Sequence, residues 1–268
     1  MALSSVISSS ESRLDRTWTA LRANGRPGLV PYCTAGFPTI PDSLAMLRAA
    51  DAHADIIEVG VPFSDPLADG PTIQASSIRA LANGMTLPRT LELVAQAGLR
   101  SPVVLFSYLN PVLQYGVERL VRDAAEIGIA GLLLTDLPCG EDPALEATVQ
   151  GSSLDLIRLL APTTSPARIR TVVAGAQGFI YLVARLGVTG VSRELAVTLP
   201  ASVAAVRAAT SLPIAVGFGI ATPEQARTVG GIADGVVVGS ALMEVLQQDG
   251  VPAADRFLGG LRAALDER

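Results

Sequence analysis

Two carboxylates stand close together in the stretch ADIIEVGVPFSDPLADGP, residues 54–71. Glu58 interrupts an apolar run, Ile56-Ile57-Glu58-Val59, that otherwise reads as a buried strand. Asp69 follows in a polar loop stiffened by Pro62, Pro66 and Pro71. A carboxylate among apolar neighbours with little water loses solvation, and its pKa climbs toward neutrality, each unit corresponding to about 1.4 kcal/mol. A group so placed can both give and take protons. The plainer alternative is a Glu turned to solvent or satisfied by backbone amides.

What the chain lacks narrows the chemistry. All 20 basic residues are Arg, so no Schiff base can form on a lysine, and lysine-tethered pyridoxal phosphate and imine aldolase chemistry are both excluded. The one histidine, His53 in SLAMLRAADAHAD, reads as a surface residue at a helix end. A metal site built on two or three imidazoles cannot be assembled. Carboxylates, hydroxyls, backbone amides and Arg are left to do the work.

A second cluster lies near the far end of the chain: Gly187-Val188-Thr189-Gly190, Gly217-Phe218-Gly219-Ile220 and Gly239-Ser240-Ala241. Glycine lets backbone N–H groups approach a ligand closely. The last turn runs into a helical stretch, 241–247, whose N-terminus offers free N–H donors and the positive end of its dipole. Three such turns suit a phosphate monoester. Without lysine the cradle rests on amides and the Ser240 hydroxyl, which favours one terminal phosphate over a polyphosphate.

The elements that must position these groups alternate regularly. Eight short apolar runs read as strands: 28–34, 55–59, 102–107, 131–135, 154–159, 178–183, 212–216 and 235–238. Amphipathic stretches lie between or after them at 42–52, 87–99, 117–127, 166–174, 201–209, 223–229 and 241–247, several opened by start signals such as Ser165-Pro166 and Thr222-Pro223-Glu224. Alternation argues for parallel pairing, and eight repeats in this length for an α/β (β/α)8 TIM barrel. A doubly wound sheet would usually have fewer strands. One domain is expected over residues 1–268, with residues 1–10 flexible and 11–24 forming an extra N-terminal helix that closes the barrel bottom. In such a barrel, strand C-termini and the loops after them carry the catalytic groups. Glu58, Asp69 and the glycine turns would then share one face.

Composition agrees. The chain is 49% hydrophobic and 17% charged, the latter below the roughly 25% typical of globular domains. That balance suits parallel strands covered by helices. No segment approaches the ~18 apolar residues of a membrane span, and the N-terminus lacks a secretory pattern. Cys33 and Cys139 match no zinc or disulfide framework and read as ordinary thiols of a reducing cytoplasm. The net charge of −5 leaves no basic footprint for nucleic acid.

The assembled motifs resemble the tryptophan synthase alpha subunit family from about Leu29 to Leu246. The most specific is the run from Glu58 to Gln74, EVGVPFSDPLADGPTIQ. It is joined by PYCTAG from Pro31, Tyr108-Leu109-Asn110-Pro111, Asp136-Leu137-Pro138 and the three glycine turns. The resemblance implies reversible retro-aldol cleavage of indole-3-glycerol phosphate to indole and glyceraldehyde 3-phosphate. By that likeness Glu58 carries the proton to indole C3 and takes one from the glycerol hydroxyl. Asp69 contacts the indole N–H, stabilises the charge building on the ring and then accepts that proton. Gly190, Gly219, Gly239 and Ser240 would hold the phosphate, Phe218 and Tyr181 would line the indole pocket with Tyr108 nearby, and Thr189 on the sixth loop would pair with Asp69 on closure.

The likeness also implies no cofactor on this chain, pyridoxal phosphate on a beta subunit, and an alpha2-beta2 heterotetramer in the cytoplasm. Some positions depart from the family pattern: Phe37 where Asp is expected, Gly140 where an acid is frequent, and Ala184 and Leu186 in place of Ser or Thr. These bear on loop dynamics and the partner contact rather than on catalytic groups. Three other readings stay open: a sugar-phosphate isomerase or epimerase, a nearly inactive allosteric subunit, and a stand-alone lyase releasing free indole.

Overall fold

The computed structural model describes residues 11–183, 192–217 and 219–267, with the backbone alone described over 192–198. The strands are β1 (Gly28–Thr34), β2 (Ile57–Gly60), β3 (Val103–Ser107), β4 (Ile129–Leu134), β5 (Asp155–Leu160), β6 (Ile180–Val183), β7 (Ile214–Gly217) and β8 (Gly235–Val238). They close in sequence order into a fully parallel barrel, β8 pairing back onto β1. This is the expected (β/α)8 architecture. Two of the strand limits read from sequence, β1 and β8, coincide with the observed ones, and the other six differ by one or two residues at one or both ends. The early residues of several predicted runs, such as Asp55 and Pro102, act instead as backbone partners just below the barrel: Asp55 N–H donates to Leu29 O, and Ile57 N–H to Pro102 O.

Twelve helices are described: α1 (Arg13–Ala23), α2 (Ile40–Ala50), α3 (Pro71–Ala82), α4 (Leu87–Ala97), α5 (Leu109–Tyr115), α6 (Val117–Glu126), α7 (Pro143–Gln150), α8 (Pro166–Ala174), α9 (Ser192–Arg207), α10 (Pro223–Gly230), α11 (Ser240–Asp249) and α12 (Val251–Asp266). Their starts follow local chemistry. Thr39, Thr86, Asp142, Ser165 and Thr222 each accept a hydrogen bond from the third helical N–H, with Pro in the first turn after each. Sequence periodicity left α3, α5, α7 and α12 unassigned. Helix α9 starts well before the expected 201–209 and continues through Pro200.

Two apolar layers result. The outer one fills the space between strands and helices, with Leu47, Leu105, Leu120, Leu132, Val216 and Leu258 fully buried. The inner one fills the barrel and begins with α1, whose Trp18 plugs the bottom against Phe179 at 5.6 Å between ring centroids. Glycine at Gly235 makes that plug possible, because a Cβ there would lie 2.5 Å from the indole. The N-terminal helix therefore closes the barrel as its sequence suggested, its Ser12 cap also donating to Asp155 Oδ2 at 2.6 Å. His53 lies in the turn after α2, partly exposed, with Nε2 2.9 Å from Asp255 on α12.

Candidate active site

Glu58 is the second residue of β2, paired in register with Tyr32 on β1 and Val104 on β3. It is completely buried, and neither carboxylate oxygen has a hydrogen-bond partner among the described residues. Burial lifts its pKa to about 8. An ionised carboxylate with no partner in such a place is costly, so the group is held protonated at neutral pH. It is a stored proton.

Asp69 stands in the loop between β2 and α3 and differs in every respect. It is half-buried, and its Oδ2 accepts the Tyr108 hydroxyl at 3.0 Å. The same phenolic oxygen accepts the Ala68 N–H at 3.0 Å, which fixes the loop around it. From α3, the Gln74 amide donates to the carbonyls of Asp69 and Pro66 at 3.0 and 3.3 Å. Burial raises Asp69 to about 6, the Tyr108 bond opposing the rise. At pH 7 it is mostly ionised. The two acids thus hold opposite protonation states at one pH, the separation that acid and electrostatic roles require.

A cavity of about 150 Å³ opens at the C-terminal end of the barrel. Tyr32, Phe106, Tyr181 and Val237 give it an aromatic and aliphatic wall. Asp69 enters from the second loop, and Gly219, Gly239 and Ser240 come from the seventh and eighth. Helix α11 opens there with Gly239 at its N-cap and no side-chain cap, which leaves first-turn N–H groups for an anion. Gly219 has φ +84°, a backbone conformation that favours glycine.

Two other glycines work by absence of a side chain. A Cβ at Gly60 would fall 2.0 Å from the Tyr32 hydroxyl, and one at Gly217 would fall 2.3 Å from the Tyr181 hydroxyl. Each phenol is seated on a bare stretch of neighbouring strand.

The residues singled out from sequence do not all meet the cavity in the same way. Asp69, Tyr181, Gly219, Gly239 and Ser240 wall it. Tyr108 reaches it through its bond to Asp69. Glu58 is not part of the wall; burial raises the pKa values of both wall phenols, Tyr32 and Tyr181, and the charge of Glu58, when it is ionised, adds to the rise. Thr189, Gly190 and Phe218 lie outside the described residues, as do Ala184 and Leu186. Tyr32 and Thr135 wall the cavity without having been assigned a role from sequence. The available signal for Tyr32 was its inward phase near the end of β1, within Pro31-Tyr32-Cys33-Thr34.

The departures at Phe37 and Gly140 have local explanations. Phe37 is buried in the outer apolar layer, a place for a ring rather than a carboxylate. Gly140 has φ +87° and donates its N–H to Glu146 Oε1 at 2.8 Å, while Glu146 Oε2 pairs with the buried Arg158 at 2.5 Å. Among the described residues no group of three or more His, Cys, Asp or Glu could hold a metal ion, and no helix is long and apolar enough to cross a membrane.

Comparison with known proteins places this geometry. The model of the family described as tryptophan synthase alpha chain matches residues 18–257. The tryptophan synthase alpha chain of Geobacter sulfurreducens is 44% identical over 261 residues, spanning 95% of this chain and 99% of the relative. That of Roseiflexus sp. is 49% identical over 241 residues, spanning 88% and 92%. Among solved structures, a chain of Mycobacterium tuberculosis tryptophan synthase superposes with a TM-score of 0.87 at 38% identity, covering 96% of this chain and 99% of that one. The alpha subunit from Legionella pneumophila gives 0.88 at 36%, covering 97% and 100%.

Proposed function

The chain belongs to the tryptophan synthase alpha chain family, and from that membership we propose how its own residues carry out the family's reaction. The enzyme is a carbon–carbon lyase of tryptophan biosynthesis that cleaves indole-3-glycerol phosphate to indole and glyceraldehyde 3-phosphate.

The difficulty of the reaction is the leaving group, because a carbanion on the indole ring is too unstable to depart. Protonation at C3 removes the difficulty. Glu58, protonated at neutral pH, delivers that proton, and positive charge spreads to the ring nitrogen. Asp69, ionised and close by, accepts a hydrogen bond from the N–H and stabilises that charge. The ionised Glu58 then takes the proton of the glycerol hydroxyl on the carbon attached to C3. The C3–carbon bond breaks, its electrons return to the ring, and the carbon leaves as the aldehyde. Glu58 ends protonated, as it began, so the cycle closes without a metal, a lysine or a base from outside.

Tyr181 with the aromatic wall holds the indole. Gly219, Gly239 and Ser240 receive the phosphate through the open N-terminus of α11, joined by Gly190 from the sixth loop. Phe218 belongs to the indole pocket, and Thr189 pairs with Asp69 when the sixth loop closes. Because Glu58 stands outside the cavity wall in the ligand-free state, proton delivery requires its side chain to turn past the phenols once indole fills the cavity.

The observation that carries this reading is a fully buried Glu58, without a hydrogen-bond partner among the described residues and held near pKa 8, behind the wall of a cavity that a mostly ionised Asp69 lines. The chain works with a beta chain, in an alpha2-beta2 arrangement whose pyridoxal phosphate is held by the partner. Indole release from indole-3-glycerol phosphate, measured with the purified chain alone and with a beta chain, tests it. Strong activation supports the complex, high solitary turnover indicates a stand-alone lyase, and no release in either case rejects the function.

A further inference from the structure

Tyr32 is a wall residue whose hydroxyl has, among the described residues, one long hydrogen-bond partner, Thr34 Oγ1 at 3.5 Å. Its neighbour Thr34 has Oγ1 2.7 Å from Ser76 Oγ, and Ser76 donates its single proton to Ile73 O at 2.8 Å. Thr34 must therefore donate to Ser76. The Tyr32 hydroxyl, 3.5 Å from Thr34 Oγ1, is too far for a strong bond in either direction. Its ring is held edge-on by Phe106 at 5.2 Å, and its oxygen is pressed onto the bare Cα of Gly60. The phenol is fixed in place with a donor to spare.

The adjacent strand holds the complementary deficit. Glu58 pairs with Tyr32 in register and has two buried oxygens without a donor. Resting on the acid role given to Glu58 above, we propose that Tyr32 is a positioning residue for that carboxyl, donating its hydroxyl proton to Glu58 whenever Glu58 is ionised. Such a bond is stronger to the charged form than to the neutral carboxyl and lowers the cost of the half-cycle in which Glu58 must be a base. Burial pushes the Tyr32 pKa far above its ordinary value, and the negative charges of Asp69 and Glu58 add to the rise, so the phenol remains a donor at every working pH.

The other titratable groups facing this pair come from three directions. Asp69 approaches from the second loop, Tyr181 from β6, and Cys33 adjoins on β1 with its thiol raised to about 12. Asp69 ionises near 6, before Glu58 does, so its repulsion is already present when Glu58 titrates. It does not confuse the comparison.

The test follows the Glu58 carboxyl itself. The chain is labelled with ¹³C at glutamate side-chain carboxyls, and Glu58 is identified by loss of its resonance in Glu58→Gln. Titration of the ligand-free protein should place Glu58 about one unit higher in Tyr32→Phe than in wild type, a tenfold change in its ionisation. In turnover, kcat should fall about tenfold near neutrality with KM within twofold, because the ionised Glu58 formed during the cycle loses its donor. If Tyr32→Phe fails to fold, site-specific 3-fluorotyrosine at position 32 serves instead. Its more acidic hydroxyl is a stronger donor and should move Glu58 downward. An unchanged Glu58 titration in the folded variant overturns the proposal, and a rise in KM alone makes Tyr32 a substrate contact instead. Full turnover in Glu58→Gln would defeat the acid role separately, since the carboxyl titration reports on Tyr32 without any substrate.

Discussion

The Tyr108 hydroxyl donates to Asp69 Oδ2 at 3.0 Å and accepts the Ala68 N–H at the same distance, so one phenol fixes both the loop and the charge it carries. In Tyr108→Phe the bond that lowers the Asp69 pKa is gone, and the pKa rises above its present value of about 6. A hydrogen bond to a charged group contributes about 1.5–3 kcal/mol, reduced here because Asp69 is half-exposed. The acid limb of the kcat/KM profile should therefore move up by roughly one pH unit. A profile identical to wild type would remove Tyr108 from the electrostatics of the site.

Glu58 makes an opposite contribution to stability. Its folded pKa of about 8 lies above the ordinary 4.5, so the pH-dependent cost of the buried carboxyl is absent below pH 4.5 and accumulates as pH rises from there through 8. Glu58→Gln should unfold like wild type near pH 4.5. It should be more stable above pH 8, by on the order of 1.4 kcal/mol for each unit of the shift. The same variant should lose indole release entirely while binding substrate within about tenfold. Parallel denaturation midpoints across that pH range would show that the carboxyl is not buried in solution.

Gly60 has a steric duty that sequence did not announce. A methyl group there meets the Tyr32 hydroxyl at 2.0 Å and the ring carbon behind it at 2.4 Å, and the phenol has Phe106 at its edge. Gly60→Ala should cost about 1–3 kcal/mol by overpacking and also impair turnover by displacing the wall. Adding Tyr32→Phe should not restore stability, since the ring carbon remains in the way. Wild-type melting and turnover in the single variant would mean that the ring has another seat.

At the opposite end of the barrel, Trp18→Ala should cost about 3–5 kcal/mol, because the indole is 1% exposed and closes the floor between Gly28, Gly235 and Phe179. The floor lies at the other end of the strands from the site. KM measured well below the melting temperature should stay within about twofold of wild type. A large rise in KM would show that the plug shapes the cavity as well as the stability.

The sequence by itself determined the architecture and narrowed the chemistry. Alternating apolar runs and capped amphipathic stretches left little choice but a parallel barrel, since both are local patterns that short-range physics reads directly. The absence of lysine excluded Schiff-base chemistry, and an acid in an apolar run before an acidic proline-rich loop pointed to a carboxylate as proton carrier. Helices such as α5 and α7 escaped notice because they are short and held by packing rather than by periodicity. What only the tertiary structure decided is how the groups face one another. Closure of β8 onto β1 brings residues 32, 69, 181 and 239 around one cavity. Close packing makes Gly60 and Gly217 into seats for phenols, and strand register sets Tyr32 beside Glu58. Those are distances between segments far apart in the chain, and no local pattern of residues encodes them.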